Sequence, residues 1–195
     1  ETILYRNFPD FKAPENSSEN TSDGKIKLVY AGLLGIAQGV YKLCQLLDYS
    51  NIEIHIYGSG AEQNHIEAYI KTHPSLPIFF HGRVSREELH KVLLKYDVAI
   101  IPLLNRIYGS VPSKIFEYAK LGLPILYFGG GEGEDIVSRH QLGWVAKAGD
   151  YDFLNLVISS IDKDKIDLKF KEKIKGTAFK NFDFNKQLDA LITEL

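Results

Sequence analysis

Six short apolar runs, each ended by glycines or a polar turn and separated by helix-length segments, constrain this chain more than any other feature. IKLVYA (26–31), IEIHIYG (52–58), IFFHG (78–82), DVAIIPL (97–103), LPILYF (123–128) and LGWVAK (142–147) are rich in β-branched and aromatic residues. Several are near-continuous apolar stretches, as strands buried on both faces should be. Between them lie helical segments at about 38–48 and 61–73, and one opened by the capping-box-like Ser85-Arg86-Glu87-Glu88. Strand and helix alternate from Ile26 to about Ser160. This order predicts an α/β fold: a Rossmann-like, doubly wound parallel sheet of about six strands with helices on both faces.

The flanks read differently. Residues 1–25 combine apolar ILYRNF with the turn-forming APENSSENTSDG, a loop or linker. The sheet domain is expected over 26–162, followed over 163–195 by two polar-faced helices packing on it. The lysine run there is interleaved with Asp162, Asp164, Asp167 and Glu172, the pattern of a solvated helix face; a membrane-surface or partner-docking face is the alternative.

Bulk composition excludes several classes. A length of 195 residues, 45% of them hydrophobic, is ample for a packed core. The formal net charge of −2 argues against a nucleic-acid partner, which calls for a basic excess. The single cysteine, Cys44, forms no internal disulfide and no metal cluster, so a reducing cytoplasm is the expected setting. No apolar run approaches the ~20 residues that span a bilayer. A chain that begins with glutamate and holds no methionine is expected to be part of a longer protein.

The chemistry-bearing residues gather in loops after the strands, the edge where open α/β sheets bind ligands. YAGLLGIAQGV places Gly32, Gly35 and Gly39 beside Gln38 at a helix start; glycine lets backbone amides approach phosphate. Its spacing is not that of a dinucleotide fingerprint. Gly58-Ser59-Gly60 follows the second strand as a turn or a pocket wall. Arg83, after the third, is placed to meet phosphate or a base, or to pair with Glu87 or Glu88. His81 reads as a packed strand-end histidine, and no histidine spacing suggests a metal. In NRIYGSVPSKIFEYAKLGLPILYFGG (105–130), Ser113, Lys114 and Glu117 stand at the start of a helix, where N–H groups and the helix dipole favour phosphate. A carboxylate at Glu117 is suited to ribose hydroxyls, or is simply a surface glutamate favoured by the helix N-terminus.

Together these segments resemble the C-terminal, nucleotide-sugar-binding domain of GT-B glycosyltransferases, glycosyltransferase family 4 in particular. YAGLLGIAQG is similar to the first glycine loop of that family and IYGSGAE to the second. FFHGRVSREELHKVLLKYDVAIIPL resembles the base-binding segment. PSKIFEYAKLGLPIL resembles the P-S-K-x-x-E-Y-x-x-x-G-x-P pattern of members that build bacterial surface polysaccharides, and LGWVAKAGD the strand and turn after it. ILYRNFPDF looks like an interdomain segment. The resemblance implies one half of a two-domain enzyme, with its acceptor-binding N-terminal domain elsewhere. The parent would be a retaining transferase using an NDP-sugar, UDP-linked by expectation, in the cytoplasm or at the inner membrane face. It also implies site roles. Backbone at Arg83 and Val84 would hold the base and Glu117 the ribose; Gly35, Gln38, Ser113 and Lys114 would surround the diphosphate, with Ser110 and Val111 near the sugar and Gly58 in the second glycine loop of the same nucleotide-sugar site. The resemblance implies no metal or other cofactor.

The chain departs from the family pattern in two places. Gly109 stands where many members carry a glutamate, and Leu33 and Gln38 where many carry arginine and lysine. Two rivals are a GT-B-like sugar-nucleotide epimerase, with His81 and Glu134 as acid and base, and a non-enzymatic receiver or flavodoxin-like module. A receiver needs acidic clusters that the first two strand ends lack.

Overall fold

The computed structural model describes residues 6–14, 24–105 and 111–193. Its centre is one parallel sheet of β1 (Ile26–Leu33), β2 (Ile52–Ser59), β3 (Ile78–Gly82), β4 (Val98–Pro102), β5 (Ile125–Gly129) and β6 (Gly143–Lys147). The spatial order is β3-β2-β1-β4-β5-β6. The crossovers carry α1 (Val40–Leu46), α2 (Gln63–Thr72), α3 (Arg86–Leu93), α4 (Lys114–Leu121) and α5 (Glu132–Arg139). After β6 come α6 (Tyr151–Ser159), a short 3-10 turn (Lys163–Lys165), α7 (Leu168–Asn181) and α8 (Phe184–Thr193). This is the doubly wound sheet that the apolar runs predict. The first helix is shorter than 38–48, because Leu47 is already extended.

Side chains alternate across each strand and split the core in two. Leu28, Tyr30, Ile54, Ile56, Leu126 and Phe128 face α1, α2 and α6; Val29, Ala31, Ala99, Ile125 and Tyr127 face α3, α4, α5 and α7. Burying each large apolar side chain contributes about 1.5–3 kcal/mol, so both faces need their helices. In α4, Ile115, Phe116, Tyr118, Ala119 and Leu121 are all buried. Phe116 meets Phe182 at 5.0 Å and Phe8, from the segment before the sheet, at 4.9 Å.

Two charged groups close the lower edge. The buried Asp97 carboxylate accepts the Lys27 backbone N–H at 2.8 Å and lies 3.5 Å from Lys163 Nζ, joining β1, β4 and the 3-10 turn. In α7 the lysine run is not wholly solvated. Lys171 is buried beside Ile174 and Ala178 and donates to the Tyr96 carbonyl at 3.4 Å. Burial lowers its pKa, and Asp97 partly offsets that. Among the described residues no helix is long and apolar enough to cross a membrane.

At the start of β6 the backbone is packed against β5. Gly143 has φ of +149°, and a Cβ there would lie 2.0 Å from the Ile125 carbonyl oxygen. Gly143→Ala should therefore cost about 3 kcal/mol of stability, since strand separation and backbone strain add. Urea unfolding measures it; a change within ~0.5 kcal/mol, the range for an unconstrained surface site, would contradict this packing.

Candidate nucleotide site

The winding direction reverses between β1 and β4: β2 and β3 extend the sheet one way, β5 and β6 the other. At such a reversal the loops leave on opposite faces and a crevice opens at the carboxyl edge. A cavity of about 350 Å³ lies there, lined by Gly32 and Leu33 from β1, Tyr57, Gly58 and Ser59 from β2, Arg83, Val84, Leu89 and Lys114. Its floor is backbone. Gly58 has φ of +143°, and a Cβ on it would stand 1.9 Å from the Gly32 carbonyl oxygen, so no side chain fits between the two strands.

Helix α4 forms one wall. Tyr118, fully within the core, donates from its hydroxyl to the Ala31 carbonyl at 3.1 Å and holds α4 against the end of β1. Ser113 precedes the helix without a side-chain capping bond, and its hydroxyl is exposed. One turn along, Glu117 is buried with only 6% exposure. Its Oε2 lies 3.0 Å from Lys114 Nζ, and its Oε1 accepts from His90 Nε2 at 2.8 Å. Burial acts to raise the Glu117 pKa, but Lys114 and then His90 overcome it, and the net direction is below the ordinary 4.5. Glu117 is thus an ionised carboxylate beneath the cavity, linked to it by the ammonium of Lys114.

The opposite wall rests on an aromatic and histidine ladder. Tyr57 donates to or accepts from the Tyr96 hydroxyl at 2.8 Å and stacks on His81 with ring centroids 4.4 Å apart. His81 Nε2 lies 2.9 Å from His55 Nδ1, and His55 Nε2 lies 3.0 Å from Glu53 Oε1. His81 is therefore a strand-end packing residue with defined partners.

The structure gathers Gly58, Arg83, Val84 and Lys114 around one cavity and sets Glu117 directly behind Lys114. Arg83 has no ion pair with Glu87 or Glu88 among the described residues. Gly35 and Gln38 lie outside the lining of this cavity; the Gln38 side chain folds back so that its Oε1 is 2.6 Å from where a Gly35 Cβ would be. Val111 and Ser113 are at the approach to α4 and also outside that lining. Ser110 and Gly109 fall outside the described residues. The sequence reading did not find Tyr57, Leu89 or His90: the first two resemble core positions, and His90 meets Glu117 across 27 residues with no local pattern. Among the described residues no cluster of His, Cys, Asp and Glu is arranged for a metal ion. His81 on edge strand β3 and Glu134 on α5, beyond β5, stand on opposite sides of the reversal, so they share no site as acid and base.

The fold and this crevice define a Rossmann-like ligand-binding domain of the kind paired in GT-B enzymes. The chain belongs to the group 1 glycosyl transferases, whose family model matches residues 12–180. It is similar in fold to HepE from Anabaena, solved in complex with UDP, with a TM-score of 0.71 and 15% identity over 88% of this chain and 50% of that one. Sucrose-phosphate synthase from Thermosynechococcus elongatus gives 0.71 and 17%, over 87% of this chain and 45% of that one. The lipopolysaccharide outer core galactosyltransferase WaaB, in its apo form, gives 0.66 and 19%, over 90% and 51%. The chain spans about half the length of these solved structures. No curated protein sequence gives a match.

The histidine ladder has a pH consequence. Burial lowers the pKa of His55, with Glu53 partly opposing; burial and then His55 lower that of His81. The folded state thus favours the neutral rings. Their contribution to stability is complete above the ordinary value of 6.5 and is lost as pH falls through the lowered values. Thermal unfolding from neutral to mildly acidic pH should show a decline that is shallower in a His55→Phe, His81→Phe variant. Parallel curves for the two proteins would show that the ladder does not titrate in this window.

Proposed function

We propose that the protein is the donor-binding part of a retaining glycosyltransferase that moves a sugar from a UDP-sugar to a glycan or lipid-linked acceptor in surface polysaccharide synthesis. The observation that carries this reading is the pairing of Lys114 with Glu117 at the cavity: one cation facing the opening, one ionised carboxylate a helical turn behind it. That charge arrangement suits a nucleoside diphosphate, with anionic phosphate outside and ribose hydroxyls within reach of an acceptor-only group. Family membership supports the reaction class, and the UDP in the HepE structure supports the ligand class.

In this reading the backbone at Arg83 and Val84 holds the base against the wall that Tyr57 and Leu89 complete. Glu117 takes the ribose. Lys114, Ser113 and the first N–H groups of α4 hold the diphosphate, with Gly35, Gln38 and Gly58 giving its backbone close approach. Val111, and Ser110 outside the described residues, are assigned to the transferred sugar by the family resemblance alone. The step that Lys114 assists is departure of the nucleoside diphosphate: as the glycosidic C–O bond breaks, charge builds on the β-phosphate, and a fixed ammonium and helix N-terminus stabilise it. The positive charge comes from the chain itself, so the reading calls for no metal or other cofactor. The acceptor is held by a second, N-terminal domain, at the cytoplasmic face of a membrane where lipid-linked acceptors reside.

Calorimetric titration with UDP, GDP and ADP, with uridine as control, tests the assignment. UDP should bind, and Glu117→Ala should weaken it by ~1.5–3 kcal/mol, the range for a hydrogen bond to a charged group. Unchanged UDP affinity in that variant would remove the ribose role, and binding of GDP or ADP in preference would correct the base. Lys114→Ala should reduce affinity for UDP far more than for uridine. Equal losses for the two ligands would mean that Lys114 does not meet phosphate.

A further inference from the structure

The Glu117 carboxylate has two oxygens, and both are engaged without ligand. Lys114 holds Oε2 and His90 holds Oε1. These partners are not equivalent. Lys114 is about one-third exposed and lines the cavity, on a flexible stem free to turn toward an incoming anion. His90 is buried, with 6% exposure, on a different helix. Its ring is packed against Phe11, with centroids 4.1 Å apart. Phe11 is itself held: Lys120 Nζ lies 5.0 Å from its ring centroid and donates to the Pro9 carbonyl at 3.0 Å. The imidazole therefore sits between α3 and a segment pinned to α4, and its Nε2–H points at the carboxylate.

We infer that His90 is a positioning residue for ribose recognition: it fixes the plane of the Glu117 carboxylate so that Oε2 faces the ribose hydroxyls once Lys114 turns to phosphate. This deepens the proposed donor site and rests on Glu117 meeting ribose. The physical reason is the soft terminal torsion of glutamate, which has broad, roughly two-fold minima and is not set by the backbone. A carboxylate fixed at one oxygen presents the other in a defined direction. Without the imidazole, departure of Lys114 would leave a buried carboxylate with neither side-chain partner, and it would rotate toward whatever donor it could find. Phe11 fixes the ring from behind, so the segment before the sheet serves as the back support of the site.

The test compares UDP with its dideoxyribose analogue, by titration into the protein and into His90→Leu, His90→Gln, His90→Asn and Glu117→Gln variants. Wild type should prefer UDP on the order of 30-fold, as expected where a charged acceptor loses its hydroxyl partner. His90→Leu should reduce that preference to about 3-fold. Glutamine places an amide N–H near the position of Nε2 and should restore the preference, whereas the shorter asparagine should not. If His90→Leu does not fold, the glutamine and asparagine pair carries the comparison. A preference retained in His90→Leu or His90→Asn but lost in Glu117→Gln would overturn the role of His90 alone. Equal behaviour of the glutamine and asparagine variants would do the same. No preference in wild type would overturn the ribose reading and this inference with it. A purely structural role for His90 would lower thermal stability and leave the preference intact, which also overturns it.

Discussion

The reversal of winding between β1 and β4 is the constraint on which the rest of the molecule depends. A parallel strand can follow another only through a crossover that lies on one face of the sheet, and the hand of that crossover is nearly always right. Extending the sheet from β1 toward β3 therefore places α1 and α2 on one face, and restarting at β4 sends α4 and α5 to the other. The loop after β1 and the start of α4 then diverge on either side of one gap. Lys114 reaches that gap because α4 begins there, and α4 keeps its place because Tyr118 is bonded to the Ala31 carbonyl.

Placing a carboxylate behind such a gap is costly unless it is answered. Glu117 sits among Ile115, Phe116 and Tyr118, where desolvation opposes its charge. Two partners from two helices reverse that balance, which is why the group stays ionised. The arrangement also divides labour: one partner is mobile and faces solvent, the other is locked by aromatic packing. A buried ion pair of this type is weak evidence for added stability; what its contacts impose is an orientation on the carboxylate.

Much of the fold was legible because buried parallel strands write themselves as apolar runs. LPILYF could be read as a strand since both its faces meet helices, and Gly122-Leu123-Pro124 marked the end of the helix before it. The site was legible in part for the same reason: Gly58, Arg83 and Lys114 follow strand ends, and sheet topology brings strand ends together. What escaped was whatever depends on the path of side chains. Nothing in HKVLLKY announces that His90 turns inward to a carboxylate, and Gln38, polar and beside a glycine, folds over Gly35 instead of entering the cavity. The lysines of 163–195 looked alike in sequence, yet Lys171 is buried against Tyr96 because α7 crosses α4 at that point.

The contact between Gly58 and the Gly32 carbonyl has a further meaning for how such a site diversifies. With no room for even a methyl group on its floor, the cavity cannot acquire new specificity by mutation from below. Its rim is different: Leu33 and Arg83 are exposed, so substitutions at these two alter shape and polarity at little cost to the fold, whereas Val84 and Leu89 also pack on the core. The chain thus separates a backbone cradle with no room for side chains from an exposed collar of side chains, and a change of donor would be recruited at the collar.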